Sequence, residues 1–328
     1  MPADPDAKRG AGPLPGLKGP TFTIVIPAFN AAATLTSCAE SVLAQTDRDL
    51  ELVIIDDGST DETARVARSL ADPRVAIHST PNAGLPAARN VGISRSRGSV
   101  VCFLDADDLL LPSYLHTVRA TFAADPAVAF VYSDAWTFDD RTRRVRRNTT
   151  THYQHPPRPV PATAQEMFSE LLIRNFIIVP VAVKREAIVG VGAFDETLSS
   201  AEDWDIWLRL TAAGHRGAEA PGPLGLRREH PAQMSANALR MVDNRICLFE
   251  KLLAWSDLSD RDAARVSGQL ARARRERLVV SGQDRPRALV RRARHAAGRL
   301  KRRVGLGARW YREPPPAVRA AFGDLSGV

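Results

Sequence analysis

Cysteine is scarce in this chain: 328 residues hold three, Cys38, Cys102 and Cys247, odd in number and far apart. They match neither a zinc-ligand spacing nor a disulfide framework, which points to a reducing compartment. Long apolar runs are missing too; nothing approaches the roughly 18 consecutive apolar residues of a membrane span. The opening stretch MPADPDAKRGAGPLPG has no apolar centre, so it does not read as a secretory signal. With Gly at 21, Pro at 23 and 44% hydrophobic residues, the composition excludes collagen-like, wholly disordered and disulfide-knot chains. What remains is a globular protein long enough to bury a proper core.

Charge is present in excess but unevenly placed. The chain carries 45 Lys and Arg against 37 Asp and Glu, a net +8. Residues 260–328 hold 18 basic and six acidic side chains, a local +12, which leaves −4 for the rest. A basic tail on a mildly acidic body weakens a global nucleic-acid-binding reading.

Hydrophobic patterning divides the chain. Residues 1–20 have no period and are expected to be a disordered leader. Buried strands are expected at Thr21–Pro27, Leu50–Ile55, Arg74–Ser79, Ser99–Leu104, Val128–Ser133 and Ile177–Val183. Helices are expected at Ala32–Ala44, Asp61–Leu70 (capped by Ser59 or Thr60), Pro86–Ser94, Pro112–Asp125, Ala164–Ile173 and Asp203–Ala213. Strands alternating with helices imply a parallel, doubly wound α/β sheet, with ligands at the C-terminal ends of the strands. Arg141–Pro161, polar and rich in Arg and Pro, reads as a surface loop. Arg287–Val304 places Leu289, Ala293, Ala296, Leu300 and Val304 on one helical face amid arginines.

Three acidic clusters sit where strands or their loops end: Asp56-Asp57, Asp105-Ala106-Asp107-Asp108 and Glu202-Asp203. Carboxylates so close repel one another unless a cation neutralises them, and hard oxygen donors suit Mg²⁺ or Mn²⁺. Taken alone, the second cluster reads equally well as an acidic loop cap.

Five motifs taken together are more specific. IVIPAFN (Ile24–Asn30), VIIDDGSTDET (Val53–Thr63), NAGLPAARNVGI (Asn82–Ile93), FLDADD (Phe103–Asp108) and AEDWDIWLRL (Ala201–Leu210) occur in order. With them the chain resembles the family 2 glycosyltransferases over Thr21–Ser235. The resemblance implies a GT-A fold, a Rossmann-like α/β architecture with a mixed central sheet. A glycosyltransferase domain would span 21–240, with 21–110 the nucleotide-binding half and 111–240 the acceptor half. Residues 241–328 would form a helical, basic extension.

The resemblance also implies roles. Pro27, Phe29 and Asn30 end the first strand near the nucleobase, where Phe29 either stacks on the base or belongs to the core. Asp57 matches the carboxylate that bonds the base, and Asp56 supports its turn. Asn82, Gly84 and Arg89 surround the nucleotide; Arg89 either offsets diphosphate charge or is a solvated helix residue. Asp105, with Ala106 beside it, faces ribose and metal, and Asp107 is the firmer metal ligand. His230 approaches the metal or diphosphate, or is structural. Asp203 matches the general base, its alternative being a plain helix-capping acid, with Glu202 in support. Trp204 lines the acceptor side or packs in the core, as does Trp207; Asp108 and Asp195 are structural acids.

The implied reaction moves a sugar from a nucleotide-diphospho-sugar, foremost a UDP-sugar, to an acceptor hydroxyl with inversion. The implied cofactor is Mg²⁺ or Mn²⁺, and the acceptor a glycan or lipid-linked molecule of cell-surface polysaccharide assembly. The processive members' Gln-x-x-Arg-Trp motif is incomplete here, since Leu306 precedes Arg309-Trp310 where Gln is required. The expected location is cytoplasmic, peripheral on the inner face of the plasma membrane if the basic tail meets anionic lipid rather than packing on the domain. No nucleic-acid partner is expected. Two other readings stay open: a nucleotidyltransferase, disfavoured because PAFNAAATL lacks a Gly-rich basic phosphate loop, and a non-catalytic sugar-binding module.

Overall fold

A computed structural model describes residues 21–148, 161–231, 233–282, 310–311 and 314–322. The leader at 1–20 and the expected helix at 287–304 lie outside the described residues.

The chain runs β1 (Phe22–Ala28), α1 (Leu35–Leu43), β2 (Leu50–Asp57), α2 (Thr63–Arg68), β3 (Val75–Thr80), α3 (Leu85–Arg95), β4 (Val100–Phe103), β5 (Leu109–Leu110) and α4 (Tyr114–Ala124). Then follow β6 (Val128–Asp139), β7 (Arg144–Asn148), α5 (Ala164–Leu171), β8 (Val181–Lys184), α6 (Arg185–Gly190), α7 (Glu202–Ala212) and β9 (Arg216–Glu229). Last come α8 (Ala238–Leu253), α9 (Asp260–Val280), β10 (Trp310–Tyr311) and α10 (Pro316–Phe322).

The central sheet has the order β10-β7-β6-β8-β4-β1-β2-β3. Strands β4, β1, β2 and β3 are parallel, as the alternating pattern requires. Beyond β4 the sheet turns mixed: β8 runs antiparallel to both β4 and β6, and β7 antiparallel to β6. The wholly parallel order implied by alternation is therefore corrected to the mixed α/β sheet of the GT-A fold, because β8 enters between β4 and β6 from the opposite direction.

Successive residues of the parallel strands feed two cores, since side chains alternate across a sheet. Phe22, Ile24 and Ile26 of β1, with Val100 and Cys102 of β4, pack against α1 and α4 through Leu35, Cys38, Leu115 and Val118. Val25, Val101 and Phe103 point the other way, onto Ile93, Met167, Trp207, Phe249 and Val266. Helices α8 and α9 therefore contribute to the same core as α7. Gly92 lets α3 lie on β1: a Cβ there would sit 2.2 Å from Val25 Cγ1.

Other boundaries shift for local reasons. The helix expected from Asp61 starts at Thr63, and neither Ser59 nor Thr60 caps it. Ser59 Oγ instead accepts from Asn30 N–H at 3.0 Å, and Asp61 Oδ1 accepts from Thr63 N–H at 2.9 Å. Part of the expected 141–161 loop is strand β7, in which Val145 is buried between the exposed Arg144 and Arg146, which pairs with Glu229. Strand β9 (RGAEAPGPLGLRRE) escapes sequence reading because its Gly and Pro read as loop. It is tolerated because the pairing with β6 shifts register around Asp134, opposite Ala220–Gly225.

Candidate active site

Three loops meet at the C-terminal ends of β1, β2 and β4. At the end of β2, Asp56 and Asp57 are both buried. Asp57 takes two backbone donors from the segment before α3: Ala83 N–H to Oδ1 and Gly84 N–H to Oδ2, each at 2.9 Å. Asn82 Nδ2–H donates back to the Asp57 carbonyl at 2.9 Å. Asp56 Oδ1 accepts from Ser59 N–H at 3.1 Å. Gly58 has φ +67° and an added Cβ would meet Asn82 N at 2.6 Å, so glycine is required for this clasp. Asn30, also left-handed at φ 51°, accepts through Oδ1 from Thr60 N–H at 2.8 Å. These contacts leave Phe29 projecting from the strand end, 51% exposed, while Pro27 is buried.

The acidic loop after β4 is pinned from a distant strand. Strand β5 pairs with β9 at Leu109–Leu226 and Leu110–Gly225, which brings the end of β9 onto the loop. Arg228 N–H donates to Asp108 Oδ1 at 2.9 Å, and its Nε–H reaches the Asp107 carbonyl at 3.3 Å. His230 Nε2 lies 2.8 Å from Asp107 Oδ2. Asp105, Asp107 and Asp108 offer carboxylate oxygens all within 4.8 Å of one another. Burial first, and then the neighbouring carboxylates, push Asp107 and Asp108 above the usual aspartate range. A cluster that charges itself reluctantly is one that a divalent cation relieves, and its hard oxygens suit such an ion. Asp105 and Asp107, half exposed, could hold such an ion, with His230 alongside; Asp108 is buried and its Oδ1 accepts from the Arg228 N–H. Ala106, buried, fills the turn between them.

Facing the acidic loop is the start of α7. Ala201, at its N-cap, adopts φ 69°, a left-handed conformation costly for a residue with a Cβ. The turn aims Glu202 and Asp203 at the site and places three acids in the first helical turn, where the helix dipole favours them. Asp203 Oδ1 accepts from Trp204 N–H at 2.7 Å and Oδ2 from Asn175 Nδ2–H at 3.1 Å. Burial raises its pKa, with Arg89 opposing.

Arg89 departs from the solvated helix residue that was one of its two sequence readings. It is not solvated: 2% exposed, it donates from Nη1 to Glu202 Oε1 at 2.7 Å and from Nη2 to Asp105 Oδ1 at 2.8 Å. Its guanidinium also lies 5.4 Å from the Phe194 ring centroid. Among the described residues, Glu202 Oε2 and Arg89 Nε have no hydrogen-bond partner. Burial pushes Glu202 up to about 7, against the lowering pull of Arg89.

Trp204 lies in the core rather than on an acceptor surface. It is 8% exposed, its indole N–H donates to the Leu171 carbonyl at 2.7 Å, and its ring meets Phe249 edge-on at 5.5 Å. Trp207, 1% exposed, stacks on Phe130 at 5.7 Å. Asp195 is structural: Lys251 Nζ bridges it to Asp205, 2.6 Å from each. Asn175 and Arg228 were missed by sequence reasoning. Arg228 lies within the RREHP segment that supplied His230; Asn175 carries no local signal.

The chain matches "Glycosyl transferase family 2" over residues 23–188, just over half its length, and it belongs to that family of glycosyltransferases. It is 30% identical over 197 residues to a chondroitin synthase of Escherichia coli, a match covering 60% of this chain and 27% of that one. It is 32% identical over 210 residues to the succinoglycan biosynthesis protein ExoO of Rhizobium meliloti, covering 62% of this chain and 59% of that one. The chain thus spans about a quarter of the chondroitin synthase. Among solved structures it resembles a mannosyltransferase of Pyrobaculum calidifontis, PcManGT, in complex with GDP-Man and Mn²⁺, at a TM-score of 0.58 and 18% identity, covering 96% and 86% of the two chains. It also resembles S. aureus TarS 1-349 in complex with UDP-GlcNAc, at a TM-score of 0.58 and 18% identity, covering 79% and 73%. At that identity the likeness speaks to the fold, which is the GT-A architecture. No helix among the described residues is long and apolar enough to cross a membrane.

Proposed function

We propose that this glycosyltransferase moves a sugar from a nucleotide-diphospho-sugar to an acceptor hydroxyl, with inversion at the anomeric carbon and with a divalent cation, in the assembly of a polysaccharide or glycoconjugate. One observation carries the reading: the Asp105–Asp107 cluster and the Glu202–Asp203 pair face one another across a single buried residue, Arg89. Donor-side and acceptor-side chemistry thereby share one cleft.

The nucleotide's place is the clasp formed by Pro27, Phe29, Asn30, Asp56, Asp57, Asn82 and Gly84. Phe29, exposed at the end of β1, offers a face on which a base stacks. Asp57 fixes the loop that walls the nucleotide. Asp105, Asp107 and His230 would hold the cation. When bound, that ion supplies positive charge against the diphosphate as it leaves.

Asp203 is the base. A hydroxyl is a weak nucleophile until a positioned carboxylate takes its proton. Asn175 and the Trp204 N–H hold that carboxylate in place. Attack on C1 from the side opposite the leaving diphosphate inverts the centre in one displacement, with no covalent sugar–enzyme intermediate. The polysaccharide setting is supported by the named roles of the relatives, a chondroitin synthase and a succinoglycan biosynthesis protein. GDP-Man in one structural neighbour and UDP-GlcNAc in another support a nucleotide-sugar donor.

The test is a panel of UDP-, GDP- and dTDP-sugars with Mn²⁺, Mg²⁺ or chelator, scored for nucleotide release and thermal stabilisation. Metal-dependent release and stabilisation by one donor class is the expected result. No stabilisation by any donor in either metal would remove the reading.

A further inference from the structure

We propose that the end of the α8–α9 hairpin that carries Leu239 and Leu278–Val280 is a docking surface for an anionic lipid bilayer. Eight large hydrophobic side chains are exposed among the described residues, and four of them collect here: Leu239 at 38%, Leu278 and Val279 at 43% and Val280 at 39%. Three ion pairs set the hairpin's antiparallel register: Arg277–Asp243 at 2.5 Å, Arg245–Glu276 at 2.8 Å and Arg274–Glu250 at 2.7 Å. Leu239 and Val280 each lie about one helical turn beyond the Asp243–Arg277 pair, so the four side chains are level at one tip. Apolar groups gathered at one place rather than scattered singly mark a contact surface.

Charge decides what covers it. Arg272, Arg275 and Val279 follow the i, i+3, i+7 spacing of one helical face, and both arginines are exposed. Neither has an ion-pair partner among the described residues, whereas Arg274 and Arg277 do. The stretch 283–309 that follows carries ten Arg and Lys against the single acid Asp284, so it brings more positive charge and cannot neutralise that face. A second copy of the chain would set the same cations against themselves. An anionic bilayer satisfies both parts: its headgroups pair with Arg272 and Arg275, while the four apolar side chains enter the acyl boundary.

The surface is mechanically joined to the cleft. Arg240, next to Leu239, donates from Nη2 to the Ser199 carbonyl at 2.8 Å, and Asn244 Oδ1 accepts from Ser200 N–H at 3.2 Å. These bonds hold the loop that leads into Glu202 and Asp203. Docking therefore fixes the base-bearing helix start close to the membrane.

The experiment is co-sedimentation of the full chain with vesicles of phosphatidylcholine, alone or with about one-third phosphatidylglycerol. The wild type should bind only the anionic vesicles and be released at about 0.5 M salt. Leu239→Ser/Leu278→Ser/Val279→Ser/Val280→Ser should lower the bound fraction about tenfold at an unchanged melting temperature. Arg272→Gln/Arg275→Gln should weaken binding and flatten its salt dependence. No binding by the wild type would overturn the proposal, as would a serine variant that binds like the wild type, which would place any contact elsewhere in the chain. Light scattering showing a dimer that the serine changes dissolve, without vesicle binding, would assign the tip to a second copy and also overturn it. Neither donor nor acceptor enters the assay, so its failure leaves the transfer reading standing.

Discussion

Arg89 and Glu202, 113 residues apart in sequence, are joined by a buried ion pair of 2.7 Å, and the same guanidinium holds Asp105 at 2.8 Å. One side chain on α3 thus sets the distance between the loop proposed to carry the donor's cation and the helix start proposed to carry the base. The planar fork of arginine reaches both carboxylates at once, which lysine's single ammonium does not reproduce.

Removing that fork leaves the buried Glu202 and the half-exposed Asp105 without their counterion. Arg89→Gln should destabilise the fold by about 3–5 kcal/mol, the cost typical of a broken buried pair. Arg89→Lys should recover part of the stability and little of the turnover. Chemical denaturation with parallel assays of nucleotide release checks both.

Activity should fall on the acid side at a pH above the usual aspartate range. Burial raises Asp203, and only its ionised form accepts a proton; the limb therefore follows its elevated pKa. Arg89 is the main lowering charge on Asp203, so removing it should move the limb to still higher pH. The pH profile of kcat/KM for the wild type and Arg89→Lys, whose charge remains, against Arg89→Gln is the measurement.

The same logic gives a stability trend with pH. Glu202 is pushed up to about 7 in the folded chain. The folded state then holds a proton that the unfolded state releases at lower pH, so this group's contribution is full below the usual glutamate range and declines as pH rises toward 7. Glu202→Gln should remove that decline between about pH 4.5 and 7 in denaturation series.

Asp203→Asn keeps the shape of the site and removes the proposed base. Transfer should drop about 10²–10⁴-fold while nucleotide-sugar binding by calorimetry stays within about twofold. Asp107→Ala should abolish metal-supported turnover; His230→Ala should raise the metal concentration needed, read from Mn²⁺ titrations of nucleotide release.

Gly58→Ala tests the nucleotide clasp. A left-handed alanine costs roughly 1–2 kcal/mol, and its Cβ would press on Asn82 N. The segment Asp57 holds should shift, and weaker nucleotide binding at little loss of overall fold is the expected readout.

Much was legible along the chain because the information was local. Apolar runs in β1, β2 and β4 announce strands buried on both faces, and the acids following β2 and β4 have no strand left to occupy, so they mark the rim. Strand β9 was illegible for the opposite reason. Its Gly and Pro read as loop, and only the pairing with β6, bulged at Asp134, makes it a strand. Trp204 could be read two ways, as a wall of the site or as core, and its N–H bond to the Leu171 carbonyl decides for the core.

The order of residues alone determined the strand–helix alternation, the family and the acidic motifs. These depend on periodicity and on short contiguous patterns, which physics reads within a few turns of chain. Only the tertiary structure decided that Arg89 is a buried bridge, that β9 delivers Arg228 and His230 to the acidic loop, and that Leu239 lies level with Leu278–Val280 at one end of the α8–α9 hairpin. Each joins residues that are tens of positions or more apart, and such pairs are selected by sheet order and helix packing, which no local pattern encodes.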